Sequence, residues 1–290
     1  MPSPASVGFK RLCLFLCLLL LPSASHAWNG AGHRQIAALA WEEMSAENRQ
    51  KVAALLRQHP DYPRWRQRQQ KNDPKGDPDY GVFLEASTWA DEIRGDTRFY
   101  GAKDAPTPRL NGFPDMRRHS DWHYRDAGGG NIDSALKKLA SDLAHGNRAA
   151  KIYALPWLIH LVGDIHQPLH CGGKNDRGGN QTTIINPARS KRPEMSLHKY
   201  WDDLPGPHWQ RGKYLSDALN KLRRLPPPSQ AEPVGDVNRW YSESRELLAK
   251  QVYPPRKKIS AAFQKHAETV AAQRVSAAGR RLGRWLNRLL

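Results

Sequence analysis

Two histidine–aspartate pairs, each spaced four residues apart, constrain this sequence more than any other feature. His160 precedes Asp164 and His198 precedes Asp202, and both pairs fall in segments that predict helices. Residues i and i+4 lie on one face of an α-helix, so each pair presents an imidazole nitrogen beside a carboxylate oxygen. These two ligand types together suit zinc. The chain therefore carries a candidate metal site on each of two helices.

Residues outside the two pairs strengthen the metal hypothesis. A single His/Asp pair is more often a hydrogen-bonded surface pair than a metal site. Here His170 follows Pro168, where a helix should stop and the chain can bend. Further upstream, Asp91 and His123 supply another carboxylate and another imidazole, and Arg94 supplies a cation for phosphate. Two pairs with a third histidine close by favour metal binding.

The remaining pattern predicts helices joined by polar loops. Apolar residues at helical spacing indicate helices, and Pro, Gly and Asn clusters indicate loops. Pro156 is expected in the first turn of its helix, and residues 182–185 are the best strand-like run. Without repeats or linkers, we predict an all-α class and a single-domain multi-helix bundle. The helices are expected at residues 31–43, 45–56, 82–93, 132–145, 149–166, 196–203, 214–223, 235–252 and 259–289, and the loops at 60–80, 101–130 and 171–195.

The charge of the chain narrows its partners. Lys and Arg number 45 against 28 Asp and Glu, which gives a formal net charge of +17 over 290 residues. Such an excess favours a polyanionic partner, either nucleic acid or an anionic membrane surface. A protein that is merely soluble and basic is the alternative. The ten Trp and twelve His residues suit stacking surfaces and metal sites.

The first residues resemble an export signal. Basic residues 10–11 precede an apolar run at 12–21, and Ser25-His26-Ala27 offers a small-x-small cleavage site. The apolar run is too short to span a bilayer, which takes about 20 residues. We predict a cleaved signal peptide at 1–27 and one domain at 28–290 that starts at Trp28. Cys171 alone would remain, so an exported chain without disulfides indicates a bacterial periplasmic or secreted protein.

Taken in order, the motifs resemble one family. The sequence is similar to the zinc-dependent nucleases of the S1/P1 type, which share a fold with bacterial zinc phospholipase C. The similarity extends over essentially all of residues 28–290. The motifs that carry it are Trp28-Asn29-Gly30-Ala31-Gly32-His33, Trp89-Ala90-Asp91 with Arg94, Trp122-His123-Tyr124, the segment from His160 to His170, Leu197-His198-Lys199-Tyr200-Trp201-Asp202 and the closing Ala278-Gly279-Arg280-Arg281-Leu282.

The resemblance implies a trinuclear zinc cluster at the base of a cleft. Nine positions hold the residue types expected of its ligands. One Zn²⁺ would be held by Asp91, His123, His160 and Asp164. A second would be held by Trp28, through its free amine and carbonyl, with His33 and Asp164. The third would be held by His170, His198 and Asp202.

The same resemblance implies an activity and its residues. Family members hydrolyse single-stranded DNA and RNA to 5′-phosphorylated products, and often also remove 3′-phosphates from nucleotides. Arg94 would stabilise phosphoryl oxygens, and Asp91 would orient the attacking water or accept its proton. Tyr124 and Asn131 would contact the substrate, Tyr124 by stacking. A monomer without stable membrane association is expected.

Two alternatives stay open. A phospholipase C of the same fold is the nearer one, but its terminal Trp lies farther from the next His and its last ligand is Glu. The short spacing from Trp28 to His33 and the acid Asp202 favour a nuclease. A non-catalytic exported protein that binds zinc or nucleic acid is the second. Leu204 stands where fungal members carry a base-reading Asn, so base preference is not transferred.

The other histidines receive structural interpretations. His166 lies two residues after Asp164, so it should turn away from the metal and pack in the core. The histidines expected at the surface are His59, His119, His145, His208 and His266.

Overall fold

Eleven α-helices make up most of residues 28–290, the part of the chain that the computed structural model describes. Two short antiparallel hairpins lie between them, so the all-α class is confirmed. The predicted signal peptide at 1–27 lies outside the described residues, and the single-domain assignment stays a prediction. The helices are Gly30–Glu43 (α1), Ala46–Leu56 (α2), Tyr62–Asn72 (α3), Pro78–Ala86 (α4), Trp89–Glu92 (α5), Ile132–His145 (α6), Arg148–Ile165 (α7), Leu197–Asp203 (α8), Gly212–Leu222 (α9), Val237–Leu247 (α10) and Ala261–Leu289 (α11). The hairpins pair Arg125–Asp126 (β1) with Gly129–Gly130 (β2) and Thr183–Ile185 (β3) with Glu194–Ser196 (β4).

Helix α7 forms the centre of the molecule. Every residue from Tyr153 to Ile165 is buried, because α7 packs against α1, α2, α6 and α11. Pro156 lies in the middle of this helix, so the prediction that it occupies the first turn is wrong. A helix buried on all sides suits a rigid mount for polar side chains. His160 and Asp164 are carried on it.

The predicted loop at 60–80 contains a helix. Helix α3 covers Tyr62–Asn72 and begins with Pro63 in its first turn, where a proline is tolerated. Only Trp65 and Gln69 of α3 are buried, and its other residues are largely charged or polar. Such a narrow apolar face gives almost no periodic pattern in the sequence, which explains the wrong prediction.

The helix predicted at 82–93 is two helices with a break between them. Helix α4 ends at Ala86 and α5 begins at Trp89. At the break, the Ser87 hydroxyl donates to the Leu84 carbonyl at 2.6 Å, and the Thr88 hydroxyl donates to the Glu85 carbonyl at 3.0 Å. Ser and Thr hydroxyls compete in this way with backbone donors for helix carbonyls. The break directs the Ser87 carbonyl toward α7.

The C-terminal helix follows its prediction closely. Helix α11 runs from Ala261 to Leu289, and its Leu282, Trp285 and Leu286 are buried in the core. No helix among residues 28–290 combines the length and the apolar character needed to cross a membrane.

Candidate metal centre

Helices α1 and α7 bring three predicted ligands together. His33 lies in the first turns of α1, and its Nε2 is 3.4 Å from Asp164 Oδ1. His160 Nε2 is 3.3 Å from the same oxygen, and the rings of His33 and His160 stack with centroids 3.9 Å apart. This approach requires Gly163, because a Cβ there would lie 2.9 Å from His33 Nδ1. His33, His160 and Asp164 thus form one candidate metal cluster.

Asp91 and His123 contact the same two side chains of α7. Asp91 Oδ1 is 3.7 Å from His160 Nε2 and 4.0 Å from His123 Nδ1. His123 Nδ1 is 2.9 Å from Asp164 Oδ2. Asp91, His123 and His160 form a second candidate cluster, which shares His160 with the first. One carboxylate, that of Asp164, therefore contacts the imidazoles of both clusters.

A third candidate cluster contains His170, His198 and Asp202. His170 ends the 3-10 turn Pro168–His170, and the other two residues lie one turn apart on α8. The two imidazole Nε2 atoms are 3.0 Å apart, and His198 Nε2 is 3.5 Å from Asp202 Oδ2. The bend after α7 that Pro168 predicted is what returns His170 to the cleft.

Backbone carbonyls orient three of the histidines. His160 Nδ1 donates to the Ser87 carbonyl at 2.8 Å, and His170 Nδ1 donates to the His123 carbonyl at 2.6 Å. His198 Nδ1 donates to the Gly178 carbonyl at 2.6 Å. Each bond fixes the tautomer in which Nε2 is an acceptor, as metal-bound histidines require. No motif in the sequence predicts these carbonyl contacts.

The donor set fits metal ions. The clustered atoms are buried imidazole nitrogens and carboxylate oxygens, which are acceptors that repel one another unless a cation or proton lies between them. Several of these atoms have no hydrogen-bond partner within residues 28–290, although they are buried. They are His33 Nδ1 and Nε2, His123 Nε2, His160 Nε2 and Asp164 Oδ1.

Burial and the neighbouring charges set the ionisation of the centre. Burial opposes charge on His160, yet the carboxylates of Asp164 and Asp91 outweigh it and raise its pKa to about 9. Burial, together with the neighbouring His160, lowers the pKa of His33 to about 3. Burial raises the pKa of Asp202 well above its ordinary value. Metal binding at that carboxylate is therefore coupled to loss of a proton.

Of the other predicted site residues, Arg94 lies beside the centre, and Tyr124 and Asn131 lie near each other after His123. Arg94 follows α5, and its Nε is 3.5 Å from Asp91 Oδ1. Tyr124 follows His123, and its carbonyl accepts from the Ile132 backbone N–H at 3.2 Å. Asn131 is drawn to the same place, because its backbone N–H donates to the Asp121 carbonyl at 2.9 Å and its side-chain amide donates to the Asp121 carboxylate at 3.1 Å. Tyr124 and Asn131 therefore lie close together.

Trp28, the first residue of the N-terminal motif, lies close to both α1 and α8. Its side chain is fully buried. The next residue, Asn29, donates its backbone N–H to the Asp202 carbonyl at 3.0 Å. The Asn29 side chain also accepts from the backbone N–H of Ala31, which caps α1 ahead of His33. Residue 28 is thus held beside both His33 and Asp202.

Gln167 was not assigned a role from the sequence. Its side-chain amide donates to Asp202 Oδ1 at 2.8 Å, and its side-chain carbonyl accepts from the Leu169 backbone N–H at 2.6 Å. These bonds tie Asp202 of α8 to the bend that carries His170. Its position inside the motif from His160 to His170 is the feature of the sequence that points to such a role.

Several histidines lie outside the clusters. His166 is buried, donates from Nδ1 to the Val162 carbonyl at 2.8 Å and accepts from the Arg281 guanidinium at 2.9 Å, which confirms the core prediction. His59 is 2% exposed and stacks on Trp65, so its surface prediction is wrong. His119 is also largely covered, with its ring stacked 3.7 Å from that of Trp122. His145, His208 and His266 are exposed as predicted.

The clusters open into one cleft. Its volume is about 550 Å³, and its lining includes Asp91, His198 and Asp202. A helical protein with buried His/Asp clusters on a cleft floor and an arginine beside them belongs to the class of metal-dependent enzymes. Residues 28–290 match the family described as S1/P1 Nuclease. The chain therefore belongs to the S1/P1 nuclease family, whose members are hydrolases of phosphodiester bonds.

Comparison with characterised proteins agrees with this assignment. Endonuclease 1 of Arabidopsis thaliana is 28% identical over 205 residues, which cover 66% of this chain and 59% of that protein. Endonuclease 5 of the same plant is 26% identical over 244 residues, which cover 73% of this chain and 79% of that protein. Nuclease S1 of Aspergillus oryzae (strain ATCC 42149 / RIB 40) is 22% identical over 311 aligned positions, 96% of this chain and 97% of that protein. The chain thus matches less than two thirds of the length of Endonuclease 1 but nearly all of Nuclease S1.

Proposed function

We propose that this chain is an exported, zinc-dependent endonuclease that cleaves single-stranded DNA and RNA to 5′-phosphorylated products. The observation that carries the proposal is the convergence of three His/Asp clusters on one cleft floor with Arg94 beside them. A non-catalytic binder would not need an arginine held beside such a centre, and the short spacing from Trp28 to His33 with the acid Asp202 favours a nuclease over a phospholipase C. The net charge of +17 supports a polyanionic substrate over a neutral lipid headgroup.

Three Zn²⁺ ions would correspond to the three clusters, with Trp28 in place of His160 in the first cluster and Asp164 added to the second. One would be held by His33 and Asp164 with Trp28, and one by Asp91, His123, His160 and Asp164. The third would be held by His170, His198 and Asp202. Bound zinc supplies a Lewis acid for phosphoryl oxygens and lowers the pKa of water at the centre.

Two side chains would act on the substrate directly. The Arg94 guanidinium stands beside the Asp91 carboxylate at the cleft, where it can donate to the equatorial oxygens of a phosphodiester. Donors fixed in this way stabilise charge that develops in the transition state. Asp91 Oδ1 would orient the attacking water and hold its proton. The pair thus divides the work between charge stabilisation and proton transfer.

The recessed position of the centre supports the proposed preference for single strands. The predicted ligands are buried, with Asp91 the most exposed at 13% of its side-chain surface. A scissile phosphate reaches such a floor only if the neighbouring bases unstack and enter the cleft with it. Tyr124 and Asn131 lie near each other after His123, where a base could stack on the tyrosine ring.

The panel of substrates that tests the proposal is small. Purified protein is incubated with single-stranded DNA, duplex DNA, RNA, 3′-AMP and phosphatidylcholine, with and without a chelator. We expect chelator-sensitive cleavage of the single strands and RNA, and products with 5′-phosphates. Release of diacylglycerol from phosphatidylcholine without nuclease activity would instead support a phospholipase C. Metal analysis of active protein should give about three zincs per chain; one or none would contradict the set of ligands.

The proposed export and the terminal ligand have their own test. A free α-amine can deprotonate and bind a metal, whereas the nitrogen of a peptide bond does not do so at neutral pH. Protein that begins at Trp28 should therefore be active, and a variant with Gly-Ser ahead of Trp28 nearly inactive. Activity is compared per folded molecule, as checked by circular dichroism. Equal activity would remove Trp28 from the ligands, and intact residues 1–27 in protein from the native host would argue against cleavage.

A further inference from the structure

Two aromatic side chains stand out on the surface near the cleft. Trp209 is 50% exposed and Tyr214 is 61% exposed, and they are the large hydrophobic side chains that lie open to solvent within residues 28–290. Their rings contact each other edge to face, with centroids 5.2 Å apart and planes at 89°. The Trp209 ring therefore keeps a face open beside the Tyr214 ring. We call these two residues the aromatic pair.

Two arginines, one buried and one partly buried, support the backbone around the aromatic pair. The Arg34 guanidinium, which is buried, donates to the His208 carbonyl and to the Gln210 carbonyl, the latter at 3.2 Å. These carbonyls flank Trp209 on both sides. Arg211 donates twice to the buried Glu85 carboxylate, at 2.6 and 2.9 Å. An exposed tryptophan held in this way is preorganised for a ligand, because little order remains to be imposed on binding.

The aromatic pair adjoins the cleft above the metal clusters. His208, directly before Trp209, lines the 550 Å³ cleft together with Asp91 and Asp202. A second cavity of about 350 Å³ lies along α9, and Arg34 and Arg211 line both cavities. The surface around Trp209 therefore continues the cleft away from its floor.

The charge beside the aromatic pair suits a polyanion. The segment 211–224, which contains α9, carries five basic residues and one acidic residue. The basic residues are Arg211, Lys213, Lys221, Arg223 and Arg224. Arg211 pairs with Glu85, Lys213 with Asp217 and Arg223 with Glu42. Lys221 and Arg224 are exposed and add positive charge outside these pairs. Aromatic rings beside cations are the combination that binds single-stranded nucleic acid, because the bases stack while the phosphates meet positive charge. Two isolated rings in a basic segment are a poor fit to the broad apolar patch of a protein interface.

We propose that the aromatic pair is a stacking site for bases of the single-stranded substrate outside the scissile step, so that it holds long strands across the cleft. The site consists of residues other than Tyr124 and Asn131, because Trp209 and Tyr214 belong to the segment that follows α8. It deepens the proposed nuclease function and rests on it for the identity of the strand. A mononucleotide or dinucleotide seated at the metal clusters would not use it.

The first experiment separates long from short substrates. Steady-state cleavage by the zinc-loaded protein is measured on a single-stranded oligothymidine of about ten nucleotides and on a thymidine dinucleotide. The variants are Trp209→Ala, Tyr214→Ala, Trp209→Phe and Trp209→Leu. We expect Trp209→Ala to raise KM for the long strand roughly five- to hundredfold with little change in kcat, since loss of one stacked base has an effect of that size. KM for the dinucleotide should change less than about twofold.

The Phe and Leu variants are the matched controls. Trp209→Phe retains an aromatic face and should recover most of the affinity for the long strand. Trp209→Leu retains apolar area without an aromatic face and should not. If Leu restores affinity as well as Phe does, base stacking is excluded. If Trp209→Ala raises KM for both substrates equally, the aromatic pair belongs to the catalytic floor and the proposal is wrong.

A binding measurement keeps this proposal separate from the proposed activity. Fluorescence anisotropy of a labelled phosphorothioate oligothymidine, a poorly hydrolysed single strand, is followed with the zinc-loaded protein and each variant. Binding that weakens in Trp209→Ala supports the stacking site even if the protein cleaves nothing. Cleavage by the unaltered protein with identical strand affinity in all variants overturns the stacking site and leaves the nuclease proposal standing. A matched duplex should bind less tightly and be insensitive to Trp209→Ala.

Discussion

The two halves of the metal centre are supported in different ways. We call His33, Asp91, His123, His160 and Asp164 the first metal region. We call His170, His198 and Asp202 the second metal region. Three ligands of the first region lie on the long buried helices α1 and α7, the other two lie on the short helix α5 and a 3-10 turn, and aromatic rings pack behind them. The second region lies on a bend and a seven-residue helix tied by polar bonds. The same donor types are thus held by two kinds of structure.

Aromatic packing surrounds the first metal region. Trp89 begins the helix that carries Asp91, and its Nε1 donates to the buried Asp61 carboxylate at 2.7 Å. Its ring meets that of Trp157 edge to face, at 5.6 Å between centroids. Trp157 in turn lies 5.7 Å from the ring of His123. The support for the first metal region is therefore spread over many aromatic contacts, and no single aromatic contact holds a ligand in place.

A few hydrogen bonds support the second metal region. Asp176 organises the loop before α8 by accepting from the backbone N–H groups of Lys174 and Gly179 and from the Tyr253 hydroxyl. This loop places the Gly178 carbonyl on His198. Gly178 has φ +61°, and a Cβ there would meet the Leu169 carbonyl, so no other residue fits. We therefore expect the second metal region to be more sensitive than the first to single polar substitutions around it.

The largest expected effect comes from replacing ligands in each region. Asp164→Asn should remove metal from more than one cluster and lower nuclease turnover by about 10³-fold or more, because a catalytic metal contributes several kcal/mol. Asp202→Asn should remove metal only from the second region. Metal content per folded chain after gel filtration, measured with the rate on single-stranded DNA, tests both. Equal metal loss in the two variants would break the distinction between the regions.

Arg94→Ala separates catalysis from metal support. Arg94 stands beside Asp91 in the first region, and its loss should lower turnover on single-stranded DNA by about 10²- to 10³-fold. Zinc content should stay unchanged, because arginine is not a ligand. Arg94→Lys, which retains the charge without the two-pronged geometry, should recover only part of the rate. Unchanged turnover in Arg94→Ala would remove this residue from the mechanism.

A polar contact of the second region gives a smaller and more local effect. Gln167→Met keeps the volume of the side chain but removes the amide that donates to Asp202 Oδ1. We expect about a 10- to 100-fold loss of metal affinity at the second region alone, the usual size for a residue that orients a ligand. Gln181→Met, at an exposed glutamine, is the control. Competition with a chelator dye resolves the affinities, and a uniform weakening of all sites would contradict the local role of Gln167.

The smallest effect concerns the pH dependence of stability on the aromatic side. Burial lowers the pKa of His59 to about 3, whereas the unfolded chain takes up that proton near pH 6.5. The contribution of His59 to the free energy of unfolding is therefore complete above pH 6.5 and falls by up to about 1.4 kcal/mol per pH unit below it. The His59→Phe variant lacks this titration. The free energy of unfolding of the wild type minus that of the variant should therefore decrease as the pH falls from 7.5 to 5.5. Urea unfolding at several pH values measures it, and a constant difference would mean that His59 is protonated in the folded state.

The sequence predicted those parts of the molecule whose apolar pattern or ligand spacing is explicit. Helices α6 and α11 have clear periodicity, and the pairs His160/Asp164 and His198/Asp202 have an explicit spacing. The full set of nine candidate ligands came from the resemblance to the family. Helix α3 was missed because two buried residues make no period. The break between α4 and α5 was missed because it depends on the hydroxyls of Ser87 and Thr88. Carbonyls that orient histidines are properties of the backbone path, which residue types do not reveal.

The bond between Asn29 and Asp202 has a consequence for the order in which the chain acquires its site. Asn29 follows the first predicted ligand and Asp202 is the last one, and most of the sequence lies between them. Contacts of such long sequence separation form only after a large entropy of loop closure has been overcome. Arg281 near the C-terminus then secures the end of α7 through His166. A ribosome-bound or truncated chain that ends before α8 therefore lacks a complete cleft, so hydrolytic capacity arises with completed folding and not with synthesis of the first motifs.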